Sequence, residues 1–370
     1  IEHYPVRLYL FNPSKQTYER GRFPDVAIST SKILVADFDS DGLEDVFIAA
    51  RNQPKTYPKL PKSYVFKQTK GGFLDKTKEW LTESRLGMLT DAVFEDLNQD
   101  GKIELLIVGE WMAPGVFQFD NGFKDISKNY DFTGLKGLWE SIFVADVNQD
   151  GKNDIMLGNR GLNNIYKAGS ERPLKMAVGD FDQNSTTDYL MFQTDETGNY
   201  KPLLGYKRIA SQLPKIRKDF NSYEAFATAN WDKFIENSDS KTLEVNELRH
   251  VLLLNNSNHN FTKIALPHFT QNSIGRSFTT LNIEGNPYYF LTGNHFDTDA
   301  EFTVYDASNG HVMAWNSSKT NFELLPISRT GFLAAGDVRK LYAIKVNTKD
   351  GILILNNNDK SLLFIAKPLK

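Results

Sequence analysis

Short apolar runs, each closed by Gly or Asn, recur along most of the chain. "SYVFKQTKGGFLDKT" (63–77), "GVFQFDNGFKDIS" (115–127), "RHVLLLNNSNHNFTKIAL" (249–266) and "HVMAWNSSKTNFELLPI" (311–327) read as hairpins, with the small or amide residue where the chain reverses. "SIFVA" before residue 146 and "DIML" after 153 are shorter strands flanking a polar loop. One segment departs from this pattern. "GYKRIASQLPKIRKDFNSYEAFATANWDKFIEN" (205–237) has helical spacing and helix-forming residues, and it predicts a mainly helical insertion over 205–247. Such an insertion serves either as a binding element or as a cap over an exposed sheet edge.

Between paired strands the polar loops carry a dense set of oxygen ligands. "DVNQDGKNDIML" (146–157) offers Asp146, Asn148, Asp150 and Asp154, the carbonyl of Lys152, and Gly151 at the sharp turn. Carboxylates this close repel one another unless a cation sits between them, and Ca²⁺ takes six to eight hard oxygens at ~2.3–2.6 Å. The loop opens as an EF-hand does, but it has Leu157 where an EF-hand needs a bidentate Glu, and it is flanked by strands instead of helices.

The arrangement repeats. Asp37, Asp39, Asp41, Asp45 and the carbonyl of Leu43 surround Gly42, and Asp96, Asn98, Asp100, Glu104 and the carbonyl of Lys102 surround Gly101. A fourth copy offers Asp180, Asp182, Asn184, Asp188 and the carbonyl of Thr186, with Ser185 in place of the glycine, and is expected to be strained, weaker or empty. Three Ca²⁺ sites and a candidate fourth follow. The competing reading is a set of Asp/Asn-rich turns without an ion.

An acidic-loop hairpin followed by a plain hairpin makes a four-stranded sheet with two apolar faces, which it can bury only against copies of itself. The expected fold is all-β, a single β-propeller over 1–370. Seven blades are expected, with six and eight as alternatives. Two units look degenerate: "TLNIEGNPYYFLTGN" (280–294) keeps Gly285 in phase but has lost the ligands, and 336–365 is a last strand-rich unit. The hairpin at 6–20 lacks a preceding metal loop, so either the C-terminal strands close the ring against it or upstream sequence completes it.

These loops, together with "GEWM" (109–112), "LWESIFVADVNQDGKNDIMLGNRGLNN" (138–164), "DFDQNSTTDYL" (180–190) and "YDASNG" (305–310), resemble the FG-GAP/VCBS repeats of integrin α-subunit propellers. More narrowly they resemble VCBS-repeat proteins of Bacteroidota, which are related to cartilage acidic protein and often carry an ASPIC/UnbV domain. The resemblance is strongest from about residue 30 to 195. It implies a secreted or outer-membrane surface protein, lipid-anchored through a Cys upstream of Ile1, and it implies no particular chemistry. Departures at Ser185 and Tyr288 put those two metal sites in doubt.

The 370 residues contain no cysteine, which excludes disulfides, thiolate metal sites and a Cys nucleophile. A formal charge of −3 hides the acids concentrated in the loops, so the rest of the chain is net basic. No Lys/Arg run with interleaved aromatics accompanies it, and no nucleic-acid partner is expected. The catalytic signatures HExxH and G-x-S-x-G and a phosphate-binding glycine loop are all missing. His295, in a polar loop with Asp297, Asp299 and Glu301, stands out among six scattered histidines, and Trp111, Trp139 and Trp315 offer either a sugar-stacking platform or inter-blade packing. The expected role is a non-catalytic scaffold that binds other outer-membrane or surface proteins. A glycan-binding protein and a calcium-dependent polysaccharide lyase are the alternatives.

Overall fold

A computed structural model describes residues 5–232, 234, 240–298 and 304–367. Among the described residues five antiparallel sheets follow one another as the blades of a β-propeller. Blade I comprises β3 (Ser29–Ala36), β4 (Asp45–Asn52), β5 (Tyr64–Thr69) and β6 (Gly72–Asp75). Blade II comprises β7 (Met88–Glu95), β8 (Glu104–Met112), β9 (Gly115–Phe119) and β10 (Phe123–Asp125), with β11 (Gly137–Leu138) added beside β8. Blade III joins β12 (Ser141–Ala145) and β13 (Asp154–Gly158) to β18 (Val251–Asn255) and β19 (Phe261–Ala265). Blade IV runs through β20 (Ser277–Ile283), β21 (Asn286–Thr292), β22 (His311–Asn316) and β23 (Asn321–Leu325). Blade V has three strands, β24 (Val338–Val346), β25 (Lys349–Asn356) and β26 (Leu362–Ile365).

The first strands β3, β7, β12, β20 and β24 touch in that order, and all five blades contribute to one central cavity. A strand packed between two neighbouring sheets must be apolar on both faces, which is why the second strands are almost unbroken apolar runs. Along β8, Leu105 and Ile107 pack with Phe47, Ala49 and Val65 of blade I, while Leu106 and Val108 pack with Ile142, Ile155 and Leu157 of blade III. Met156 of β13 faces the other way, into the core shared with Phe278, Tyr289 and Leu291 of blade IV. Phe290, Val312, Leu341, Ile352 and Ile354 fill the space between blades IV and V.

Backbones approach so closely, both between blades and within one, that some positions admit no Cβ. At Gly158 it would lie 1.9 Å from the Gly275 carbonyl oxygen, and at Gly109 2.2 Å from that of Met88.

Blade III is interrupted between β13 and β18 by a separate sheet: β14 (Leu174–Gly179), β15 (Asp188–Thr194), β16 (Tyr200–Pro202) and β17 (Lys241–Val245). One face of this sheet packs on helices α2 (Tyr206–Gln212), α3 (Ile216–Asp219) and α4 (Tyr223–Ala227), around Phe192, Phe226 and Trp231; α1 (Thr77–Trp80) is a single turn between blades I and II. The other face, with Leu174, Met176 and Val245, lies on Met88, Trp111 and Leu138 of blade II. The expectation of a mainly helical 205–247 therefore needs correction at its end, where Lys241–Val245 is the strand that pairs with β14.

The blade count differs from seven for the same reason. Sequence pattern counts sheets, but it cannot tell a blade of the ring from a sheet nested inside a blade, and the stretch holding the fourth acidic loop is the latter. The hairpin β1 (Tyr9–Asn12) and β2 (Thr17–Arg20) pairs only with itself among the described strands. Beside it, Val6 and Phe23 cover the outer face of blade I at Val46, Ile48 and Phe66.

Candidate functional site

The first three acidic loops lie at one rim of the ring. They join β3 to β4, β7 to β8 and β12 to β13, and the fourth joins β14 to β15 in the inserted sheet. All four share one backbone scaffold. The first acid accepts two N–H groups from the turn: Asp37 from Asp41 and Gly42 at 3.0 and 2.8 Å, Asp96 from Asp100 and Gly101 at 3.1 and 2.9 Å. Asp146 does so from Asp150 and Gly151 at 3.0 and 2.9 Å, and Asp180 from Asn184 and Ser185 at 3.0 and 2.8 Å.

The fifth-position oxygen accepts the N–H of residue seven, which is Leu43, Lys102, Lys152 or Thr186. The ninth-position acid accepts the N–H of residue two, and Asp45 and Asp154 also accept from Gln68 and Asn255 on the third strand of their blades, each at 2.8 Å. The turn residue is left-handed in every copy: Gly42, Gly101 and Gly151 at φ +84 to +85°, Ser185 at φ +65°. Ser185 thus keeps the loop geometry while accepting the strain that the glycines avoid.

In the first and fourth loops three carboxylates converge. One oxygen each from Asp37, Asp39 and Asp45 lies within 4.8 Å of the others, and the same holds for Asp180, Asp182 and Asp188. In each set one buried oxygen, Asp39 Oδ1 or Asp182 Oδ1, has no hydrogen-bond partner. A buried carboxylate oxygen left unpaired is costly unless a cation takes it. In the second and third loops Asn98 and Asn148 occupy that position. The Asn98 amide donates to Asp100 Oδ2 at 3.2 Å, and Asn148 Oδ1 accepts from the Asp150 N–H at 3.1 Å.

Burial and neighbouring acids push the ninth-position groups up, Glu104 to about 7 and Asp154 to about 6, with Asp45 and Asp188 raised in the same direction. Such a cage is short of positive charge. Lys67 reaches from β5 to pair with Asp39 and Asp41, and Lys152 pairs with Asp150 at 3.3 Å. The donor set fits a hard divalent cation. Bound there, Ca²⁺ would supply charge neutralisation and crosslink the two strands of each hairpin.

At 280–294 the expected degenerate loop is a two-residue turn. Glu284 and Gly285 are both left-handed, at φ +53 and +82°, and Ile283 pairs directly with Asn286. The primed turn matches strand twist without an ion.

A second cluster, unforeseen in the sequence, occupies the opposite end of the strands around the axis. Arg51 pairs with Glu110 at 2.5 Å. Arg160 pairs with Glu110 at 3.1 Å and with Glu140 at 2.9 Å, and Arg276 lies 3.8 Å from Glu140. Lys32 and Lys340 flank Asp91 at 2.8 and 3.8 Å, and Arg339 sits 3.4 Å from Asp337. Burial alone would raise Glu140, but the surrounding Arg160, Arg276 and Arg51 outweigh it and bring the carboxyl down to about 2. Trp111 stands beside this cluster with a left-handed backbone, φ +61°, and its indole donates to the Tyr57 hydroxyl at 2.8 Å. The only sequence signal was a charged residue recurring at the ends of apolar strands.

The three tryptophans are not brought together. Trp139 lies in the core between blades II and III, Trp111 under the inserted sheet, and Trp315 against Phe322 in blade IV. His295 is half-buried, 3.9 Å from Asp337; Asp299 and Glu301, expected beside it, lie outside the described residues.

A family model described as an FG-GAP-like repeat matches residues 37–107 and again 96–157. The chain thus carries FG-GAP-like repeats on a β-propeller fold. No curated protein matches the chain. Among solved structures, a Trypanosoma rangeli sialidase in complex with the inhibitor DANA matches at 11% identity and a TM-score of 0.29, covering 98% of this chain and 59% of the sialidase. BBS1N in complex with ARL6DN matches at 12% identity and a TM-score of 0.24, covering 93% of this chain and 95% of that one. At such scores neither likeness carries an argument about function.

Proposed function

We propose that the protein is a calcium-stapled, non-catalytic β-propeller of a bacterial cell surface, serving as a scaffold that binds other surface or outer-membrane proteins. The observation that carries the calcium part is the pair of buried, unpartnered oxygens, Asp39 Oδ1 and Asp182 Oδ1, each inside a three-carboxylate cluster. An ion there turns a repulsive cage into a crosslink, and extracellular calcium would fill sites of modest affinity in a chain that has no cysteine for disulfides. In this reading Asp37, Asp39, Asp45 and their counterparts hold the ion, and the carbonyls of Leu43, Lys102, Lys152 and Thr186 complete the shell. In this reading the partner docks on the helical side of the inserted unit, which exposes Tyr223 of α4.

The test has two arms. Thermal melting in calcium and in excess chelator reads the staple, and an unchanged melting curve would remove it. A photo-crosslinker at Tyr223 in the native membrane reads the partner: one recurrent protein adduct in calcium, lost in chelator, is expected. Adducts no different from those of a crosslinker at Lys15 on the N-terminal hairpin would remove the scaffold role.

A further inference from the structure

The axial cluster has a property that structural ion pairing does not require. Among the described residues six cations (Lys32, Arg51, Arg160, Arg276, Arg339 and Lys340) meet four carboxylates (Asp91, Glu110, Glu140 and Asp337), so two positive charges lack a described counter-charge. Five of those cations line a cavity of about 660 Å³ at the axis, within the size range of small-molecule sites. Arg276 is the least satisfied. Its side chain is 11% exposed, and among the described residues its one ion pair is the 3.8 Å approach to Glu140 and its buried Nε has no hydrogen-bond partner. Burial, with Arg160, Arg339 and Arg51 nearby, holds its guanidinium below the ordinary value despite Glu140. A buried guanidinium in that state is stabilised by an added anion.

We propose that this cavity binds a dianionic tetrahedral oxyanion, a phosphate or sulfate group, free or as the terminal group of a larger molecule. The charge of such a group matches the excess. Its shape matches the donors, which reach the axis from different sides: Lys32 and Arg51 from blade I, Arg276 from the start of blade IV, Arg339 and Lys340 from blade V. A tetrahedral group offers acceptors in all these directions, whereas a carboxylate accepts in one plane. Entry is past Thr30, Ile33 and Tyr342, which line the cavity and are exposed. None of these groups belongs to the acidic loops, so the site stands apart from the calcium reading and either can fail alone.

The test is calorimetric titration of the calcium-loaded protein, freed of excess calcium, with inorganic phosphate, sulfate and succinate in separate runs. Saturable one-to-one binding of phosphate or sulfate is expected, with succinate weaker by about tenfold or more. Arg276→Met should weaken oxyanion binding at least about tenfold, and Lys340→Gln or Arg339→Gln several-fold. The last two residues are partly exposed and keep the test open if Arg276→Met does not fold. Lys124→Gln, on an exposed hairpin pairing with Asp120, should change nothing. The proposal is overturned by no saturable binding up to ~50 mM, far weaker than a ~1 mM site. Unchanged affinity in the Arg276, Lys340 and Arg339 variants, or succinate binding as tightly as the oxyanions, would overturn it as well.

Discussion

At one end of the strand pairs the chain turns through acidic loops that are nearly complete in themselves: Asp37, Asp41 and Asp45 are held by the N–H groups of residues 38, 41, 42 and 43, all within nine residues. At the other end the charged residues come from all five blades and the insertion, with Arg51, Glu110, Glu140, Arg160, Arg276 and Arg339 drawn from nearly three hundred residues of chain. The loops concentrate negative charge and leave Asp39 Oδ1 and Asp182 Oδ1 unpaired. The axial cluster concentrates positive charge and leaves Arg160 Nε and Arg276 Nε unpaired beside Glu140 Oε1 and Asp337 Oδ1. Each is short of the opposite ion, but only the loops can be assembled by local turn geometry, while the axial cluster exists only once the ring has formed.

That contrast is broken most forcefully at Glu140. Glu140→Gln leaves Arg160 and Arg276 buried without their shared carboxylate, and urea unfolding should show a loss of about 3–5 kcal/mol. The loss should be the same in calcium and in chelator. The loops should behave in the opposite way: Asp39→Ala and Asp182→Ala should each cost about 2.7 kcal/mol when calcium stands a hundredfold above the dissociation constant, and little in chelator. Equal losses in both buffers would show that the acids act only through their backbone hydrogen bonds.

A third expectation concerns pH. Burial holds His250 and His311 at about 4, below the ordinary 6.5. The unfolded chain takes up these protons below about 6.5 and the folded chain not until about 4, so stability is full above that window and falls as pH drops through it. Each histidine contributes up to about 1.4 kcal/mol per pH unit. In excess calcium, His311→Leu should flatten the decline between pH 6.5 and 4 while leaving stability at pH 8 little changed. Glu140 works in a lower window, present above 4.5 and lost as pH falls toward about 2. The smallest effect is at the fourth loop, where Ser185→Gly should stabilise by about 1 kcal/mol by relieving the left-handed residue, read as a shift in the urea midpoint.

The same contrast explains what the sequence could tell. The propeller was legible because its unit is local: strand, acidic loop, strand and hairpin recur with recognisable spacing, and "ELLIVGEWM" and "DIMLG" are apolar enough to demand burial on both faces. The blade number was not, because nothing in "VGDFDQNSTTDYLM" says that its sheet is nested inside blade III, whose halves meet again at Val251 ninety residues after Gly158. Lys241–Val245 reads as part of a helical insertion because its strand partner, β14, lies some sixty residues earlier in the chain, on the far side of the helices. The axial cluster was invisible for a related reason. Arg276 in "IGRS" is one arginine among many until Glu140, more than a hundred residues earlier, is folded against it. Gly158 likewise looks like an ordinary strand-end glycine until the Gly275 carbonyl is placed where its Cβ would be.

The account depends above all on the acidic loops being ion cages and not merely tight turns. Titration of chelator-stripped protein with Ca²⁺, followed by calorimetry and by the mass of the native protein, addresses this directly. Occupancy should rise to four ions, with the Asp182→Ala protein stopping at three. A protein that takes up no calcium at millimolar concentration, or whose uptake is unchanged by Asp39→Ala and Asp182→Ala, would contradict it.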